Sequence, residues 1–297
     1  MDKLFEIENL YCSYDKPFCP GLSKVVLYIR NLVVPKGKTI FIVGESGIGK
    51  STILEVLGLM NNTIVAHDDT RFLFFGENQV AVDILDLWKN NSDRELSDFR
   101  REHFNFIFQS TNLMRNFTAY ENIAITRMLQ GCTQKESYER AHQILNDLGL
   151  FHINTDRMIQ ELSGGQQQRL AFARAIIPDF TVLFGDEPTG NLDGENARKA
   201  MTLLTRKLQE CEGSSAVIVS HDMHLSMEFG DVIIKISKVA NARKSSDDEV
   251  TYYGLIDQSC VYYPSADRRT WSNGDDVYSD EDFEIFLKQK FEENEER

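Results

Sequence analysis

A nine-residue stretch, Gly44-Glu45-Ser46-Gly47-Ile48-Gly49-Lys50-Ser51-Thr52, has the composition and order of a phosphate cradle. Its glycines let the backbone curl so that successive N–H groups face inward at phosphate oxygens. Lys50 is spaced to reach the β- and γ-phosphates of a nucleotide, and the Ser51 hydroxyl to ligate Mg²⁺. A second group, Asp186-Glu187, closes the apolar run Thr181-Val182-Leu183-Phe184-Gly185. A carboxylate there can hold Mg²⁺, directly or through water, and its neighbour can polarise an attacking water. A charged strand end in solvent is the plainer reading of that pair alone; the loop upstream tips the balance. The third group is Leu162-Ser163-Gly164-Gly165-Gln166-Gln167-Gln168-Arg169. Two glycines at a helix start expose backbone N–H groups to an anion, and Ser163 adds a hydroxyl and a good N-cap.

The elements around these groups are legible from patterning. Residues 39–43 are an apolar run that reads as a buried parallel strand, and residues 53–59 open a helix. Strand, glycine loop and helix form the context that a phosphate loop requires. Residues 181–187 and 215–219 read as further buried strands, the first ending in the carboxylates, the second followed by Ser220-His221-Asp222. Ligands of open α/β sheets gather at that carboxyl edge. Residues 5–11, 25–29, 31–34 and 71–75 read as strands of an antiparallel sheet, and residues 105–108 as a short buried one. Residues 118–160 carry helical periodicity with no strand pattern, with Ala141, Ile144, Leu145 and Leu148 on one face. Near the C-terminus, residues 231–236 and 250–256 suggest a hairpin with residues 241–248 as its loop. Residues 271–282 look polar and mobile. Residues 283–296 fit an amphipathic helix with Phe283, Phe286, Leu287 and Phe291 on one side.

The totals fit a cytoplasmic enzyme. A chain of 297 residues, 42% hydrophobic and 26% charged, can bury a substantial core. It has no apolar run long enough to span a bilayer, and residues 1–8 lack the features of a signal peptide. Five scattered cysteines with no C-x-x-C pair suggest neither a disulfide framework nor a zinc site. Of the net charge of −14, residues 245–297 carry −10 and the preceding 244 residues only −4. An acidic tail on a near-neutral body argues against direct nucleic-acid binding.

These motifs, in this order, resemble the nucleotide-binding subunits of ATP-binding-cassette (ABC) transporters over about residues 4–238. Residues 100–109 and 186–193 look like the ATPases of the macrolide-export, lipoprotein-release and cell-division group. The resemblance implies an α/β P-loop NTPase (RecA-like) core, with an N-terminal antiparallel β subdomain and an inserted α-helical subdomain at about 110–162. It implies ATP and Mg²⁺ as ligands and two copies in a head-to-tail dimer, each ATP lying between residues 44–52 of one copy and Ser163-Gly164-Gly165-Gln166 of the other. Glu187 would position the attacking water, and Lys50 would offset charge on the phosphates. Gln109 would contact Mg²⁺ and that water, and Asp186 and Ser51 would hold the ion. His221 would touch the γ-phosphate, and Asp193 would cross the dimer interface. Tyr14 would stack on adenine, with Tyr11 or Phe18 as replacements. The implied partners are separate transmembrane subunits of the FtsX-like permease type, with the chain peripheral on the inner face of the cytoplasmic membrane.

The sequence departs from the group in places. Gly185 stands where a larger residue or Ala is common, and residues 158–161 lack the usual proline. The tail lies outside the resemblance, so the chain divides into a cassette of residues 1–240 and an acidic extension of residues 241–297 of unassigned role. The competing class is a soluble ABC ATPase acting on DNA, ribosomes or a signalling partner. An interaction module with a degraded site fits poorly, because no catalytic position is missing.

Overall fold

The computed structural model of this chain describes residues 2–15, 24–76, 79–90, 92–240 and 251–289. Phe18, Phe291 and the expected hairpin loop at 241–248 lie outside these residues. The chain opens with β1 (Lys3–Ser13) and β2 (Val25–Pro35), two long antiparallel strands. Residues 25–29 and 31–34, expected as two strands, form one: Arg30 and Asn31 face solvent without interrupting the pairing. A turn leads into β3 (Thr39–Val43), every residue of which is buried, and then α1 (Lys50–Leu57). Next come β4 (Ile64–Val65), β5 (Arg71–Phe75) and β6 (Ala81–Asp83), which extend the antiparallel sheet. They are followed by α2 (Ile84–Asn90), α3 (Asp93–His103) and β7 (Phe104–Ile107).

A helical stretch then leaves the sheet: α4 (Ala119–Leu129), α5 (Gln134–Asp147) and α6 (Gly164–Ile176). Each begins with a capping box, at Thr118/Glu121, Thr133/Glu136 and Ser163/Gln166. Each box satisfies two backbone N–H groups that a helix start leaves orphaned. The core resumes with β8 (Val182–Asp186), α7 (Gly194–Glu210), β9 (Ser215–Val219), α8 (Met223–Phe229) and β10 (Val232–Lys235). Strands β10, β3, β9, β8 and β7 lie side by side in that order, all parallel.

Alternation along these strands divides the hydrophobic core. Phe41, Leu183, Ile218 and Ile233 point to the face covered by α4 to α8. Ile40, Ile42, Phe184, Val217 and Ile234 point to the face covered by α1 and the antiparallel sheet. Both faces are buried, which is why these strands read as continuous apolar runs.

The chain past residue 236 departs from expectation. β10 stays in the parallel sheet, and at Ile236 the backbone crosses to the other sheet. There β11 (Ser237–Ala240) pairs antiparallel with β12 (Tyr252–Ile256), and β12 lies parallel to β2. So residues 252–256 pair with β11 and β2 rather than with 231–236. Residues 261–288, expected as part of an acidic extension, return to the parallel sheet. β13 (Val261–Pro264) pairs antiparallel with β10, followed by β14 (Thr270–Ser272), β15 (Val277–Ser279) and α9 (Asp280–Lys288). The run 271–282 is therefore structured. Trp271 is 1% exposed and stacks on Phe283, with centroids 4.9 Å apart and planes 11° apart. Burying a large apolar side chain is worth about 1.5–3 kcal/mol, which anchors the three-residue strand β14 in an otherwise polar stretch.

Candidate functional site

The loop after β3 follows from its glycines. Gly47 has φ +78° and Gly49 φ +102°, conformations that side-chain-bearing residues adopt at a cost. A Cβ on Gly49 would also sit 3.4 Å from Leu27 Cβ and from the Val26 carbonyl. The curl brings Lys50 back over its own loop, where Nζ donates to the carbonyls of Gly44 (2.9 Å) and Glu45 (2.6 Å). Burial pulls the Lys50 ammonium below its ordinary value, and the carboxylates of Glu187, Asp186 and Glu45 oppose the shift. Ser46 and Gly47 lie at the exposed rim, while Ile48 and Thr52 are buried beneath it.

Three strand ends meet this loop. Ser51 Oγ donates to Asp186 Oδ2 at 3.2 Å, joining the first turn of α1 to the end of β8. Glu187 follows at once, its N–H donating to the carbonyl of Val219 on β9 at 3.0 Å. Past the end of β9, His221 places Nε2 3.1 Å from Glu187 Oε1. Gln109 is exposed two residues beyond Ile107, the last residue of β7, which pairs with Gly185 of β8. The Gly185 departure has a local reason: a Cβ there would press on Pro188 Cγ at 3.2 Å. The oxygens of Ser51, Asp186 and Gln109 are hard donors. A hydroxyl and one carboxylate fit Mg²⁺, which keeps its remaining positions for water and phosphate.

Of the aromatic candidates, Tyr11 is engaged elsewhere, stacked on Tyr28 with centroids 4.1 Å apart. Tyr14 is 53% exposed beside the loop, and its hydroxyl hydrogen-bonds with Thr52 Oγ1 at 3.1 Å and donates to Glu55 Oε2 at 3.2 Å. Its ring therefore stands at the outer edge of the phosphate cradle.

Ser163-Gly164-Gly165-Gln166 forms a separate surface. Gln166 Oε1 accepts the Ser163 N–H at 2.8 Å, and Gln166 Nε2 meets His152 Nε2 at 2.9 Å. A Cβ on Gly164 or Gly165 would meet nothing within 4 Å, so the helix start is open to whatever approaches it. Asp193 caps α7 by accepting from Asn196 N–H and Nδ2, both at 2.9 Å, and those bonds hold its carboxyl below the usual range. Arg169 reaches the same Asn196 at 3.2 Å and links the two caps. The described hydrogen bonds of Ser163–Gln166 stay within this helix start and its neighbour His152; none reaches residues 44–52.

Three positions carry weight that their sequence context did not signal. Gln168, fully buried, donates to the Pro188 carbonyl at 2.9 Å, tying α6 to the turn after Glu187. Lys238 lies 3.2 Å from Glu45 Oε2. Lys235 is 4% exposed at the end of β10. Each depends on strand crossings and long-range packing that local spacing does not encode.

Comparison with known proteins gives the family. The model of the ABC transporter family matches residues 29–190. The macrolide export ATP-binding/permease protein MacB of Pasteurella multocida is 32% identical over 256 residues, covering 84% of this chain but only 36% of its own length. The chain thus spans about a third of that relative. The lipoprotein-releasing system ATP-binding protein LolD of Colwellia psychrerythraea is 35% identical over 216 residues, 72% of this chain and 78% of LolD. Among solved structures, the ATP-binding cassette MJ0796 in a dimeric, post-hydrolysis state bound to ADP and Pi superposes with a TM-score of 0.62. It is 27% identical and covers 78% of this chain and 94% of its own.

Proposed function

This chain belongs to the ABC transporter family as one of its ATP-binding cassettes, and from that premise we propose that it hydrolyses ATP to drive separate membrane subunits. The observation that carries this reading is the convergence of Lys50, Ser51, Asp186, Glu187 and His221 on one sheet edge. Nucleotide phosphates enter the loop of residues 44–52, and Lys50 exchanges the carbonyls of Gly44 and Glu45 for phosphate oxygens. Tyr14 supports the adenine. Glu187 orients water toward the γ-phosphate as general base, with His221 holding the carboxylate and touching the phosphate. Mg²⁺ would be held by Ser51 and Asp186, with Gln109 as a further oxygen donor, and when bound it offsets charge on the phosphates.

The described hydrogen bonds of Ser163-Gly164-Gly165-Gln166 do not reach its own phosphate loop, and in the proposed arrangement the open helix start of a second copy completes each site. MJ0796 is described as dimeric, which supports a dimer here. Asp193 then lies at the junction between copies. The membrane partners are subunits of the FtsX-like permease type, docked on the helical subdomain near Gln109–Thr118 at the cytoplasmic face. No helix among the described residues is long and apolar enough to cross a membrane. Hydrolysis of Mg·ATP by the purified chain, lost in Lys50→Ala, tests the site; activity that survives the substitution refutes it. Affinity capture from detergent-solubilised membranes tests the partner. Recovery of a permease subunit supports transport or force transmission, and recovery of soluble partners alone favours the non-membrane class.

A further inference from the structure

The C-terminal segment reaches the catalytic edge by two routes. The first runs through α8. His221 sits between the end of β9 and the start of α8, where Asp222 N–H donates to Ser220 Oγ at 3.0 Å and Asp222 Oδ1 accepts from Leu225 N–H at 2.9 Å. The position of α8 therefore sets the position of His221. Met223 and Met227 of α8 and Phe286 of α9 pack against the same core cluster, which includes Trp271, Phe283 and Leu287, and α8 lies directly against α9.

The second route runs through β10. Lys235 ends that strand and pairs with Val43, the residue before Gly44. Its ammonium donates to the carbonyl of Phe286 at 2.5 Å and stands 3.8 Å from the centroid of the Phe286 ring. A carbonyl at a helix C-terminus and an aromatic face both favour a cation, so one side chain grips the end of α9 twice. A cavity of about 220 Å³ remains where these parts meet, between Gly44, Glu45 and His221 on one side and residues 287–289 on the other.

We propose that α9 is a positioning brace for the hydrolytic pair. Gripped by Lys235 at Phe286, α9 packs against α8 and through it holds His221 against Glu187, so docking of the C-terminal segment sets turnover and not nucleotide binding. The catalytic part of this inference rests on the proposed function of His221; the mechanical part rests on the packing alone. Neither Lys235 nor Phe286 touches the reacting atoms.

The test uses the full chain with Phe286→Ala, which removes the ring, and Phe286→Tyr, which keeps it. Because sub-ångström misplacement of a catalytic group is costly, Phe286→Ala should lower kcat roughly tenfold and leave KM for ATP within about twofold. Phe286→Tyr should restore kcat. In nucleotide-free protein labelled at histidine nitrogen, the His221 ring resonances, assigned by their loss in His221→Ala, should move in Phe286→Ala and return in Phe286→Tyr. Unchanged kcat together with unchanged resonances overturns the brace. So does a joint change in kcat and KM with a lower Tm that Phe286→Tyr fails to rescue, which would be general loosening. If the wild type shows no hydrolysis that Lys50→Ala removes, the site reading fails instead, and the His221 resonances alone decide the brace.

Discussion

His221 Nε2 stands 3.1 Å from Glu187 Oε1, a contact between two residues that leave the ends of adjacent parallel strands. Glu187 makes it from a left-handed backbone, φ +49°. For a residue with a side chain that conformation costs about 1–2 kcal/mol. It is held by the Glu187 N–H on Val219 and by Gly190 N–H donating to the Glu187 carbonyl at 3.1 Å. The turn swings the carboxylate off the strand direction and toward the histidine. Strain of this kind is retained where surrounding bonds over-determine it.

His221→Ala should therefore cut ATP turnover by roughly 10²-fold, the scale of a lost acid–base partner, with nucleotide affinity little changed. Steady-state hydrolysis alongside fluorescent-nucleotide titration separates the two effects. Turnover at the wild-type rate would remove His221 from the chemistry.

Gly49 should not tolerate a side chain. At φ +102° and with Val26 and Leu27 at 3.4 Å from the would-be Cβ, Gly49→Ala should destabilise the fold by more than about 1 kcal/mol. It should weaken ATP binding as well, since the loop must re-form around it. Urea denaturation and nucleotide titration check both effects. A variant as stable as wild type with unchanged affinity would show that the loop relaxes freely.

Lys235 gives a pH signature. Burial lowers its ammonium from the ordinary 10.5 to about 8, with Glu45 pulling the other way. Between those values the unfolded chain carries a proton that the folded chain has shed. Raising the pH through this window therefore favours the folded state, and below about 8 the cost of the buried charge is present in full. Relative to Lys235→Met, the wild type should gain thermal stability from pH 8 toward 10.5. Parallel curves for the two proteins would contradict the burial argument.

Much of the catalytic edge was legible because its signals are local. The loop 44–52 and the pair Asp186-Glu187 sit against apolar runs whose alternation also sorts the two faces of the core. Helices α4 and α5 start where Thr118 and Thr133 meet Glu121 and Glu136 three residues on. The C-terminal part was misread for the opposite reason. Residues 271–282 are acidic and polar on their own, and only Trp271 meeting Phe283 and β13 meeting β10 make them structured. The crossing at Ile236 between sheets likewise has no local mark. Lys235 and Gln168 gain their roles from partners 51 and 20 residues away, beyond what spacing reveals.

The central claim is that ATP binding joins two copies and that Glu187 is needed to release them. Size-exclusion chromatography with light scattering of Glu187→Gln, with and without ATP, tests it most directly. The account predicts a monomer without nucleotide and a stable dimer with ATP that does not decay, while wild type returns to monomer as ATP is consumed. A Glu187→Gln protein that stays monomeric in saturating ATP, or that hydrolyses ATP at the wild-type rate, would contradict it.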